Sequence, residues 1–209
     1  MKIIEMFYSI QGEGIQIGLP TFFVRTSGCN LRCSWCDTKY AYYGGREVTP
    51  EKIVDAAKKY PIRRVSITGG EPLLQKDLND TIKKFLEEDY EILIETNGSL
   101  SIEDIPISRK IVISLDIKCP SSGMTDMMKY SNLKLLKKKD QLKFVIKDRK
   151  DFDFALDIIE KYRPKTNIIF QPVGGKNIKK IVEWTLTSSH DIRVLPQLHK
   201  LIWGKKRGV

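Results

Sequence analysis

The chain has 209 residues, 41% of them hydrophobic and 30% charged, with 36 Lys and Arg against 26 Asp and Glu and a formal net charge of +10. That length suits one domain of generous size, or at most a domain with an appendage. No apolar run approaches the roughly 20 residues needed to cross a bilayer, and the opening "MKIIEMFYSIQGEG" turns polar too early for a secretory signal, so a cytoplasmic protein without membrane contacts is expected.

In chain order, the first strand is expected over "TFFVRT" (21–26). A helix then starts at Thr49 as cap with Pro50 in first position, and turns Ile53, Ala56, Ala57 and Tyr60 inward. "RVSIT" (64–68) reads as a strand and Asp77 as the start of a second helix with Leu78, Ile82, Phe85 and Leu86 inward. "EILIET" (91–96), "IVISLD" (111–116) and "LKFVIK" (142–147) read as further strands. Asp151 is expected to open a third helix, with Phe152, Ala155, Leu156 and Ile159 inward. "NIIFQP" (167–172), a helix marked by Ile178, Ile181, Val182 and Thr185, and "IRVL" (192–195) complete the series. Nearly continuous apolar strands alternating with helices predict a mostly parallel sheet with right-handed crossovers. A closed eight-stranded barrel typically needs about 250 residues. The expectation is therefore an α/β fold in the form of a partial, open TIM-like barrel, as a single domain over 1–209, with its chemistry at the carboxyl ends of the strands.

The positive charge would suit a nucleic-acid binder. The basic runs "KKK" (137–139) and "KKR" (205–207) lack interleaved aromatics, however, and read as solvated faces. A Lys/Glu-rich surface with attraction for an anionic small substrate, and no direct nucleic-acid partner, is the expectation.

Three of the four cysteines, Cys29, Cys33 and Cys36, follow the first strand in the pattern C-x3-C-x2-C. A structural zinc site usually closes with four ligands, and an ordinary four-iron cluster takes four thiolates. Three clustered thiolates leave one coordination position open, as catalysis requires. Zinc completed by Cys119, His190 or His199 is the alternative at this point. Gly28 permits a tight entry into the loop, and Arg32 favours the thiolate forms. At the other strand ends stand "TGGEP" (68–72), "ETNG" (95–98), "SLDIKCP" (114–120) and "QPVGG" (171–175). Glu95 and Asn97 are thereby expected to face the same mouth. Each of these segments alone could be ordinary turn chemistry, but five successive strand ends carrying polar groups are hard to explain that way.

The cysteine loop, with Trp35 just before its last cysteine, resembles that of the radical S-adenosylmethionine enzymes. The resemblance implies a [4Fe–4S] cluster on Cys29, Cys33 and Cys36, whose fourth iron takes the amino and carboxylate groups of S-adenosylmethionine. It further implies cofactor contacts from Trp35, Asp37, Gly69, Gly70, Glu71, Asp116, Lys118 and Gln171, and an external electron donor. "FYSIQGEG" (7–14), "FVRTSGCNLRCSWCDT" (23–38), "ITGGEPLLQ" (67–75) and "LPQLHKLIWG" (195–204) narrow the likeness. They are similar to a family of such lyases that contracts 6-carboxy-5,6,7,8-tetrahydropterin to 7-carboxy-7-deazaguanine with loss of ammonia, on the way to deazaguanine bases of tRNA. That resemblance implies substrate contacts from Ile10, Gln11, Gly12, Glu13, Arg25, Thr68 and His199. It also implies Mg²⁺ on Thr38, with Asp37 as another possible ligand. A homodimer is expected from the open edges of a partial barrel. A glycyl-radical activating enzyme would share the cysteine pattern but needs a protein substrate and leaves "QGEG" and Arg25 without a purpose.

Overall fold

The computed structural model describes residues 1–209. Nine strands form one sheet: β1 (Lys2–Ile10), β2 (Pro20–Thr26), β3 (Arg46–Glu47), β4 (Arg64–Gly69), β5 (Glu91–Thr96), β6 (Ile111–Ile117), β7 (Gln141–Ile146), β8 (Asn167–Pro172) and β9 (Ile192–Val194). Their order is β3-β1-β2-β4-β5-β6-β7-β8-β9. From β2 through β9 every neighbouring pair is parallel, while β1 runs antiparallel to β2 and β3. The sheet does not close, which makes it the expected partial barrel.

The seven expected strands are all present, within one residue at either end. β1 was not anticipated. Most of its residues are only partly buried, as suits an antiparallel strand beside the two-residue edge strand β3, and that weakens its apolar signal.

The helices are α1 (Pro50–Lys58), α2 (Leu78–Glu87), α3 (Arg149–Tyr162), α4 (Ile178–Leu186) and α5 (Leu198–Trp203). Thr49 caps α1, its side chain accepting from Lys52 N at 3.5 Å, and Ile53, Val54 and Ala57 go into the core. Asp77 stands at the start of α2, but its carboxylate bonds the Met1 ammonium at 3.1 Å rather than its own helix. The start of α3 needs a correction. Asp148, not Asp151, is the cap and accepts from Asp151 N at 3.1 Å. Asp151 lies one turn inside, fully buried, taking donors from Ser121 and from Lys147 N. Two aspartates three residues apart satisfy the same capping rule, and Asp151 is taken by the β6 loop. α4 also differs from expectation. Only Ile181 is buried, and Val182 is exposed. α5 was not foreseen.

The core lies between the sheet and its helices, with Val24, Ile67, Ile92, Ile94, Leu115, Phe144 and Phe170 essentially inaccessible. No helix is long and apolar enough to cross a membrane.

Candidate active site

The carboxyl ends of the parallel strands surround a cavity of about 750 Å³. Its wall includes Cys29, Cys33, Cys36, Gly69, Gly70, Glu95, Asp116 and Lys118, the terminal residues Lys205–Val209, and most of the site residues expected from the sequence. Parallel register builds it in rows. Arg25 pairs with Glu5 on one side and with Thr68 on the other, Glu95 with Ser114, and Asp116 with Lys143. Residues paired in register on one face of a sheet bring their side chains together, so these rows fix polar groups of distant sequence side by side.

At the thiol end, Gly28 holds φ +92°, and the turn after β4 packs directly on it. Glu71 N donates to Gly28 O at 2.7 Å and Gly70 N to Thr26 O at 3.0 Å. A Cβ on Gly70 would stand 1.8 Å from Gly28 O, and one on Gly69, at φ +130°, 2.3 Å from Thr26 N. The two glycines are what allow the β4 turn and the cysteine loop to touch. All four cysteines are free. Burial pushes the Cys33 thiol up, with the Lys118 ammonium pulling the other way. Cys29 Sγ accepts from Leu31 N at 3.4 Å and lies 3.7 Å from Asn97 Nδ2.

A zinc site finds no support. Nowhere do three His, Cys, Asp or Glu side chains converge as ligands of a single ion. Cys119 is fully buried with Ile117 O as its contact, and His190 pairs with Glu160 away from the cavity. Three thiolates on one loop facing a roomy cavity fit a larger centre left open on its cavity side.

Next to the cysteines, Lys118 Nζ bonds Asp116 Oδ2 at 2.9 Å and lies 5.5 Å from the centre of the Trp35 ring. Asp116 Oδ1 is buried without a partner, an acceptor that suits the hydroxyls of a ribose. Two expected cofactor residues are placed differently. Glu71 is absent from the cavity wall and fully buried; Leu73 N, Thr96 Oγ1 and Asn97 N occupy its carboxylate. Its job in the structure is to tie the β4 and β5 turns together. Gln171 is buried with Nε2 directed at Pro196 O at 3.5 Å, and it is Val173 and Gly174 further along that line the cavity. Asp37 lines the mouth, but its carboxylate is paired with Lys200 at 2.6 Å. Thr38 Oγ1 lies 3.7 Å from Cys36 Sγ.

Another part of the wall is built around β1 and the QGEG turn. Arg25 Nε donates to Glu5 at 2.8 Å, which leaves its two terminal nitrogens without a protein partner, and the guanidinium sits against the Phe7 and Tyr40 rings. Gln11 donates to Glu95 at 2.9 Å and accepts from Glu13 N at 3.1 Å. Ser66 and Thr68 also donate to Glu95. Glu13 accepts from Gln197 Nε2 at 2.7 Å and from Lys143 Nζ at 2.6 Å. Burial pushes the Glu13 carboxyl up, but the charge and hydrogen bond of Lys143, together with His199 and Gln197, bring it down to about 2. His199 stands directly over Gly12, where a Cβ would lie 2.1 Å from its Nδ1. Ile10 completes the wall. Reading the sequence for site residues passed over Lys143 and Gln197. A lysine within the apolar run "LKFVIK" was a signal for the first; nothing local marks the second.

An open parallel sheet with a three-cysteine loop at its carboxyl end is the architecture of a radical S-adenosylmethionine enzyme, and the Radical SAM superfamily model matches residues 23–183. The fold is similar to that of QueE from Escherichia coli, with a TM-score of 0.76 at 23% identity over 95% of this chain and 94% of that one. A 7-carboxy-7-deazaguanine synthase of Thermoplasma acidophilum is 44% identical over the full length of both chains. One of Clostridium acetobutylicum is 38% identical over 100% of this chain and 99% of its own. The chain belongs to the 7-carboxy-7-deazaguanine synthase family of the radical S-adenosylmethionine superfamily.

Proposed function

We propose that the cavity converts 6-carboxy-5,6,7,8-tetrahydropterin to 7-carboxy-7-deazaguanine with loss of ammonia, within deazapurine biosynthesis leading to modified tRNA bases. The observation that carries this reading is one cavity lined both by three free thiols and by Arg25, Glu13 and Glu95. Cys29, Cys33 and Cys36 would hold a four-iron cluster with S-adenosylmethionine on its open side, and that group would supply radical chemistry, with the electron coming from an external donor. The chain's own part is holding and orienting. Asp116, through its unpartnered oxygen, accepts from the cofactor ribose, with Lys118 and Trp35 beside it. Gly69 and Gly70 bring backbone close to the cofactor. The free fork of Arg25 takes the pterin carboxylate, and Glu13, Gln11 and the Gly12 backbone receive the polar edge of the ring. Thr68 sits between the two ligands, and His199 covers the substrate over Gly12.

Mg²⁺ is part of the same reading. Its protein ligand is Thr38, since this ion keeps waters and substrate oxygens readily, and Asp37, paired with Lys200 at 2.6 Å, stands next to it. Support for a homodimer comes from the short edge strand β9 with Leu186, Leu201 and Ile202 exposed on nearby helices. The chain acts as one domain in the cytoplasm, with no direct nucleic-acid contact.

Anaerobic incubation with the carboxytetrahydropterin, S-adenosylmethionine, Mg²⁺ and reductant is expected to yield the deazaguanine acid by mass, more slowly once Mg²⁺ is chelated. A loaded enzyme that consumes no pterin would remove the reading. Arg25→Ala is expected to weaken pterin binding about tenfold to a hundredfold, the worth of a charge-assisted pair. Cofactor cleavage driven by a strong reductant should stay largely intact; unchanged pterin affinity would show that the carboxylate docks elsewhere.

A further inference from the structure

Lys143 is a buried ammonium for which the reading above has no use. It projects from β7, with only 7% of its surface exposed, into the substrate end of the cavity. Its register partner is Asp116, yet its Nζ lies 3.8 Å from Asp116 Oδ2 and 2.6 Å from Glu13 Oε2, on a turn 130 residues earlier in the chain. The ammonium therefore leans out of its row toward the QGEG turn.

A carboxylate has about four acceptor positions. Protein donors take one on each Glu13 oxygen, Lys143 on Oε2 and Gln197 on Oε1. The remaining lone pairs are available to a ligand in the cavity. An ionised carboxylate there can only accept, so it selects a ligand edge that presents N–H donors, such as the 2-amino group and ring N3–H of a pterin. A protonated carboxyl would carry one O–H and would also accommodate an edge with a carbonyl in place of the amine.

We propose that Lys143 is a specificity-determining positioning residue: by pairing with Glu13 it keeps that side chain a pure acceptor and so makes the site demand a 2-amino pterin edge. The inference rests on the pterin reading above. The groups facing Glu13 are Lys143, His199 and Gln197, and those facing Lys143 are Glu13, Asp116, Glu95 and, at greater range, Lys118. Burial works against the Lys143 charge, but Glu13, Asp116 and Glu95 more than compensate and hold it protonated well above its ordinary range. In Lys143→Met the burial of Glu13 acts unopposed by its main cation, so its carboxyl titrates higher. Ionised Glu13 is then lost as pH falls, and affinity falls with it.

The test is equilibrium binding to the reconstituted protein of 6-carboxypterin, by its own fluorescence, and of 6-carboxylumazine, which carries a 2-oxo group in place of the 2-amino group. Wild type is expected to prefer the pterin by roughly a hundredfold, the scale of leaving one buried acceptor without its donor. Its affinity should not respond to protonation of Glu13 between about pH 5 and 7, because that carboxyl titrates far lower. K143M should cut the preference to within about tenfold and lose pterin affinity by up to about tenfold per pH unit as Glu13 protonates. K143R should restore both properties. Removing both charges in E13Q/K143M should abolish the added pH slope, which separates Glu13 from His199, and should leave the preference lost. A folded K143M with wild-type selectivity and pH profile would overturn the inference, as would wild-type selectivity in the double variant if K143M alone does not fold. Failure of wild type to bind the pterin at all would instead overturn the pterin reading and take the inference with it.

Discussion

Gly70→Ala is expected to destroy the site while changing only one methyl group. The new Cβ would stand 1.8 Å from the Gly28 carbonyl oxygen and 3.2 Å from that of Ala41. Both obstacles are backbone, so no side chain can swing away to make room. The β4 turn must lift off the cysteine loop, breaking the bonds from Glu71 N to Gly28 O and from Gly70 N to Thr26 O. Overlap of this kind belongs among the rare substitutions that cost about 4 kcal/mol or more. Thermal unfolding and iron content together should report it: a lowered Tm and little bound iron. An alanine variant with wild-type Tm and a full complement of iron would mean that the two loops are not held together at this point.

Cys33→Ala is expected to abolish cluster assembly altogether. Two thiolates remain, and no other His, Cys, Asp or Glu is grouped with them to take over. Cys119→Ala is the matched control. Cys119 is fully buried against Ile117 O, absent from the cavity wall, and its thiol is pushed well above its ordinary range chiefly by burial. Its loss should cost stability but leave the iron in place. Iron and sulfide analysis after anaerobic reconstitution separates the two. Equal iron in both variants would show that Cys33 is not a ligand.

The parallel part of the sheet from β2 through β8 was legible because those strands are mostly buried, so their apolar runs are nearly unbroken. Val65, Ile67, Ile92 and Ile94, all inaccessible, mark the pattern. β1 lacked that signal because its side chains are mostly half-buried. The cysteine loop was legible for a different reason: its three thiols are local in sequence, and their spacing stands out without any tertiary contact. Side-chain direction was not legible. Glu71 and Gln171 sit in the expected motifs, yet each turns inward to satisfy buried backbone, which no local pattern reveals. The Glu13–Lys143 pair was hidden by sequence distance, since only the folded sheet brings a turn after β1 against the middle of β7. Gln197 was hidden in the same way, on the approach to a short helix that the sequence did not announce.

The electron paramagnetic resonance spectrum of the anaerobically reconstituted, reduced protein before and after addition of S-adenosylmethionine shows whether the cluster has an open iron. A four-iron signal that changes when the cofactor is added is expected, because one iron would have no protein ligand and would be free to take it. A four-iron signal indifferent to the cofactor, or a silent protein carrying one zinc per chain, would contradict that expectation.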